Sequence, residues 1–134
     1  IPLKILFPEC TLTLVEPRRK RVTFLGIATK RLDLEDVSVH EERIEDLDLT
    51  PHDVLISKAF QPPPQWIETA SRLVKQPGGH VLCMTRRGEL PILEEMAPRL
   101  SLELVDVKAP SHATRDGVDD RIVASFRALA PTDH

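Results

Sequence analysis

Apolar and polar positions change period several times along this chain, and each change marks an element. Residues 11–15, Thr-Leu-Thr-Leu-Val, alternate with a period of two, which predicts a strand. From 18 to 32 the apolar positions Val22, Leu25, Ile27, Ala28 and Leu32 fall at helical spacing. Pro17 suits the first turn of that helix, and Glu16 before it favours the positive end of the helix dipole. Short strands are predicted at 37–40 and 53–57, the second reading as buried. "QPPPQ" then opens a helix with Trp66, Ile67, Ala70, Leu73 and Val74 on its core face, and "QPGG" stops it. A strand at 80–85 follows, then a helix marked by Ile92, Leu93, Met96, Ala97 and Leu100. Two strands, 101–107 and 121–127, close the pattern across a polar loop. The first seven residues read as the end of a helix that began earlier.

Strands alternating with helices predict an α/β fold, a mostly parallel sheet covered on both faces. The last two strands have no crossover helix between them, so they are expected to pair antiparallel. There is no internal repeat, low-complexity segment or linker, and residues 1–134 read as a single domain. The short opening helix and the strand after it imply a further strand ahead of residue 1.

Composition narrows the class. The chain has 134 residues, 41% hydrophobic and 29% charged, enough for a packed core in a soluble protein. No apolar run approaches the roughly 20 residues of a membrane span, and no signal peptide is visible. The net charge of −3 excludes a bulk basic footprint for nucleic acid and leaves only local clusters to argue from. Cys10 and Cys83 lack CxxC or histidine spacing and read as reduced core residues of a cytosolic protein. The five histidines show no metal-ligand spacing, so no metal is expected. Hydrolase, zincin and Walker motifs are absent from the sequence.

Three segments fall at carboxyl ends of strands, where open α/β sheets bind ligands. Glu16 either accepts hydrogen bonds from the hydroxyls of a ribose or only complements the helix dipole and its arginine neighbours. The basic run Arg18, Arg19, Lys20 and Arg21 is either a solvated helix face or a set of phosphate contacts. "HEERIEDLD" is either a solvated turn or an adenine-reading segment. In "ISKAFQPPP", Lys58 stands just past a buried strand, and Phe60 either stacks on a base or packs in the core.

Together, "FPECTLTLVEPRRKRVTFL", "VSVHEERIEDL", "HDVLISKAF" and "LVKQPGGHVLCMTRRGE" resemble the class I S-adenosylmethionine-dependent methyltransferases. Within them the chain is most similar to the bacterial RsmG (GidB) family, over residues 1 to about 89. That family methylates N7 of a guanine in small-subunit (16S) rRNA. The resemblance implies a Rossmann-like sheet in an N-terminally incomplete methyltransferase domain, lacking the first strand and its glycine-rich loop. It implies S-adenosyl-L-methionine as cofactor, ribosomal RNA as partner and the cytoplasm as location. Glu16 then resembles the ribose-binding acid, Ile44 and Glu45 the pair beside the adenine, and Lys58 an arginine of the family's site. Arg18 and Arg19 are expected to meet the RNA backbone and Phe60 the substrate. A small-molecule methyltransferase and a non-catalytic fragment are the alternatives.

Overall fold

The computed structural model describes residues 1–46, 51–58, 61–109 and 120–130. They fall into two compact units, Ile1–Asp48 and Leu49–His134.

The first unit opens with α1 (Pro2–Leu6), a single turn and a half begun by proline. Its Lys4 is 1% exposed, and the ammonium donates to the carbonyl of Pro8, at 2.6 Å, and to that of Cys10. A buried charge persists only when hydrogen-bonded, so this lysine fastens the loop after α1 back onto the helix. The unit then runs β1 (Leu12–Val15), α2 (Arg19–Arg31) and β2 (Val37–His40), with β1 and β2 parallel from Leu12↔Val37 to Val15↔His40. This is the βαβ connection that parallel pairing requires. α2 starts one residue later than its periodicity suggests, with Arg18 as N-cap and Pro17 outside the helix. Its apolar stripe is not a buried one. Val22, Leu25 and Ala28 are half-buried, Leu32 is exposed, and Ile27 is 49% exposed. Asp33 and Asp36 take left-handed conformations after the helix, a region short polar side chains tolerate.

The second unit contains β3 (Val54–Lys58), α3 (Pro63–Ser71), β4 (His80–Arg86), α4 (Leu90–Met96), β5 (Leu102–Lys108) and β6 (Arg121–Ala128). The strand order is β3-β4-β6-β5. β3 and β4 are parallel, and the closing pair β5/β6 is antiparallel as the missing crossover predicts. β6 also pairs antiparallel with β4, so the last strand of the chain lies inside this sheet. The loop residues 110–119 lie outside the described residues.

Alternation on β6 sends Ile122, Ala124, Phe126 and Ala128 into the core. They share it with Val81 and Cys83 of β4, Ile67 and Ala70 of α3, and Leu93 of α4. Trp66 is buried among them, and its indole N–H donates to the Leu82 carbonyl at 3.1 Å, which satisfies the one polar atom of a large apolar ring. Two helical expectations shift. α3 ends at Ser71, so Leu73 and Val74 lie beyond it, and α4 gives way to a 3₁₀ turn over Ala97–Leu100. Of the apolar residues that mark α4, Leu93 is buried and Ile92 is 50% exposed. "QPGG" is more than a helix stop. Gly78 has φ +100° and donates to the Ala128 carbonyl at 2.9 Å, while the Ala128 amide donates to Gly79 at 2.7 Å. The turn is therefore docked on the end of β6.

Candidate functional site

In the first unit the carboxyl ends of β1 and β2 lie side by side, because parallel strands end at the same edge. The Glu16 amide donates to the His40 carbonyl at 3.0 Å, extending that pairing by one residue. The Glu16 side chain is 19% exposed. One carboxylate oxygen accepts the Arg18 amide at 3.0 Å, supplying the helix start with a cap that Arg18 itself does not provide. The other oxygen lies 3.9 Å from the Arg21 guanidinium, too far for a hydrogen bond and within ion-pair range. Both readings of Glu16 thus have a physical basis. The acid serves the helix start, and a carboxylate with about four lone-pair positions keeps acceptor capacity for a diol. Of the basic run, Arg21 is the residue that pairs with Glu16.

The turn Ile44–Asp46 follows β2 at this same edge, with Ile44 buried and Glu45 exposed. Glu16, Ile44 and Glu45 are therefore brought to one end of one small parallel sheet. Arg18, Arg19 and Lys20 are all exposed at the start of α2. Lys58 is the last residue of β3, in register with Met84 of β4, and Phe60 lies outside the described residues.

The second unit holds a cavity of about 260 Å³ at the carboxyl ends of β3 and β4. Pro63, Trp66, Cys83 and Met84 supply its apolar lining, and Ser57, Gln61, Thr85, Arg86 and Glu89 its polar one. Arg86 donates to Asp120 at 2.8 Å, and the Arg87 amide donates to the Asp120 carbonyl at 2.8 Å. The two bonds tie the end of β4 and the 3₁₀ turn Arg87–Glu89 after it to the residue just before β6. Sequence reading missed this cavity. Its one signal was the Arg-Arg-Gly-Glu run immediately after an apolar strand.

Cys83 is buried, whereas Cys10, expected in the core, is exposed. Burial, and secondarily the charge of Glu89, push the Cys83 thiol up to about 11 from its ordinary 9.0. In native protein at neutral pH, iodoacetamide should therefore label Cys10 and leave Cys83 intact until the chain is denatured, as peptide mapping would report. The folded state keeps a proton that the unfolded chain releases. Its stabilising effect is complete below pH 9 and is lost as the pH rises towards 11, by about 2–3 kcal/mol. Urea melts across that range should show a shallower alkaline decline for Cys83→Ala than for wild type, and parallel declines would contradict the assignment.

Among the described residues no group of histidines, cysteines and acids is placed to hold a metal, and no helix is long and apolar enough to cross a membrane.

Solved structures of similar shape show the fold. A SAM-dependent methyltransferase from Methanosarcina mazei superposes with a TM-score of 0.71 at 13% identity, over 98% of this chain and 88% of that one. M. jannaschii TYW2, solved in complex with AdoMet, gives 0.73 at 18% identity, over 95% of this chain and 62% of that one. The chain has the Rossmann-like α/β fold of these methyltransferases. Residues 1–117 match the family described as rRNA small subunit methyltransferase G (GidB), and the chain belongs to that family. Ribosomal RNA small subunit methyltransferase G of Nitrosomonas europaea is 32% identical over 106 residues, 78% of this chain and 49% of that protein. The protein of the same name from Mycoplasma capricolum is 31% identical over 112 residues, 81% and 48%. That from Rhizorhabdus wittichii is 41% identical over 69 residues, 51% and 32%. The chain thus spans a third to a half of the curated relatives it matches.

Proposed function

We propose that this chain is the cofactor- and RNA-facing part of an S-adenosylmethionine-dependent methyltransferase acting on N7 of a guanine in small-subunit rRNA, in the cytoplasm. The observation that carries the reading is the family match over residues 1–117. On this reading the chain acts as a single domain.

The residues present fit the cofactor at the ribose. Glu16 stands at the carboxyl end of β1 with its backbone fixed by His40 and with lone pairs beyond those that Arg18 uses. The adjacent turn offers Ile44 as an apolar surface and Glu45 as an acceptor beside the adenine. Lys58, at the end of β3 in the second unit, is proposed as a separate cofactor contact. When bound, the sulfonium cofactor supplies an electrophilic methyl group. Guanine N7 carries a free lone pair. No proton has to leave before it attacks, so the chain needs no general base. Its work is alignment and exclusion of water, which accords with the absence of a nucleophile–base pair in the sequence.

Two measurements test this. Calorimetric titration with S-adenosylmethionine should show binding weakened by about 1.5–3 kcal/mol in Glu16→Ala, the usual range for hydrogen bonds to a charged group. Unchanged affinity would leave Glu16 only its helix-start role. Methyl transfer to small ribosomal subunits, read with labelled cofactor, tests the activity itself. No cofactor binding at all would favour a non-catalytic fragment.

Exposed Arg18 and Arg19 are the proposed phosphate contacts, with Phe60 proposed to face the base. Such contacts position RNA without reading its sequence. Replacing both arginines by alanine should make log K against log salt shallower by roughly 0.7–0.9 for each phosphate no longer neutralised. An unaltered slope would make this run a solvated helix face.

A further inference from the structure

We infer that the cavity between α3 and the end of β4 reads the acceptor base, and that Glu89 recognises the Watson–Crick edge of guanine. The inference rests on the methyltransferase reading above and adds a binding pocket and a specificity residue to it.

The cavity lies where open α/β sheets receive ligands, beyond the carboxyl ends of strands. Apolar residues with a few convergent polar groups are the usual make-up of a small-molecule site. Here Pro63, Trp66 and Met84 offer apolar surface for a flat ring, and Thr85, Arg86 and Glu89 offer the polar groups. Enzymes that modify a base read an extruded base by stacking and by hydrogen bonds to its Watson–Crick edge.

The polar set selects among bases. Guanine presents two adjacent donors on that edge, the N1–H and the exocyclic amine, beside the O6 acceptor. An ionised carboxylate has only acceptors, so Glu89 can take both donors at once. Adenine would turn its N1 lone pair towards the same carboxylate, which is repulsive. Arg86 has five donors in a rigid fork, and Asp120 engages one of its nitrogens, leaving others for O6. The two bonds to Asp120 hold this turn before any ligand arrives. Reading the Watson–Crick edge engages N1 and the amine and leaves N7 unengaged. The pocket therefore supplies a reason for attack at N7 rather than at N1 or the amine.

The chain has one tryptophan, and it lines the cavity, so its fluorescence reports occupancy. The full chain should be titrated with guanosine, inosine and adenosine 5′-monophosphates, which share a phosphate and differ at the edge in question. The guanine nucleotide should give a saturable change. The inosine nucleotide, which lacks the amine, should bind at least about tenfold more weakly. The adenine nucleotide should bind more weakly still. Glu89→Gln should lower the guanine-over-adenine preference about tenfold, with circular dichroism and melting unchanged. Equal binding of guanine and adenine nucleotides by wild type, or an undiminished preference in Glu89→Gln, would overturn the inference. Should that variant not fold, the three-nucleotide series on wild type decides alone. Methyl transfer to small subunits is measured in parallel. Transfer without guanine preference in the titration overturns the pocket and leaves the activity standing, whereas guanine preference without transfer supports the pocket and counts against the activity.

Discussion

Phe126→Ala should cost about 3–5 kcal/mol of stability, the usual loss for emptying a buried aromatic site. Phe126 is 0% exposed in β6. It stands in register with Val81 on β4 and Leu104 on β5, so strands close off both of its flanks. Neighbours anchored in two ladders cannot collapse into the space, which places the loss in the upper part of the range. Domains are commonly stable by only 5–15 kcal/mol, so the variant should be close to unfolded at moderate urea. Urea titration followed by Trp66 fluorescence measures this. Val105→Ala, at an exposed position on β5, is the control and should change stability by less than about 0.5 kcal/mol. A loss below about 1 kcal/mol for Phe126→Ala would mean that β6 does not organise this core.

Among the described glycines, Gly79→Ala should be the most damaging, at about 3 kcal/mol, the upper end for overpacking. An added Cβ would lie 2.6 Å from the Lys75 carbonyl oxygen and 2.6 Å from Val74 Cγ2. The carbonyl is backbone and cannot rotate away. Nor can Gly79 retreat, since its amide donates to Lys75 at 2.9 Å and its carbonyl accepts from Ala128 at 2.7 Å. Its neighbour separates two causes. Gly78 has φ +100° but open space around it, so Gly78→Ala should cost only the backbone preference, about 1 kcal/mol. Thermal melts of both variants give the comparison. Were Gly78→Ala the worse of the two, backbone strain rather than close approach would govern the turn.

The tests of cofactor and base concern different units. Glu16 was legible because three local signals coincide there: a period-two strand, an acid, and a helical period opening immediately afterwards. Those signals need only neighbours in sequence. The cap that Glu16 gives to Arg18 spans two residues and is equally local. The Glu89 pocket had no such legibility. Its residues run from 57 to 89 and meet only because β3 and β4 pair in parallel and α3 returns across their ends. Asp120, which holds that turn, is further still along the chain. Lys4 shows the same limit. It reads as an interruption in an apolar stretch, yet it is buried, because two loop carbonyls fold back over its ammonium.

By itself the sequence determined the order and type of the elements, the antiparallel closing pair and the acid at the end of β1. These follow from side-chain period, from breaker residues and from the length of chain between strands, all properties of short windows. Tertiary structure decided the rest. Only the sheet could place β6 between β4 and β5, since strand order depends on pairing at long range. Only packing could leave Ile27 and Ile92 outside while burying Leu93, because helical periodicity marks a stripe without saying how much of it a neighbour covers. And only the meeting of two strand ends with a helix could assemble a cavity whose polar groups lie far apart in the chain.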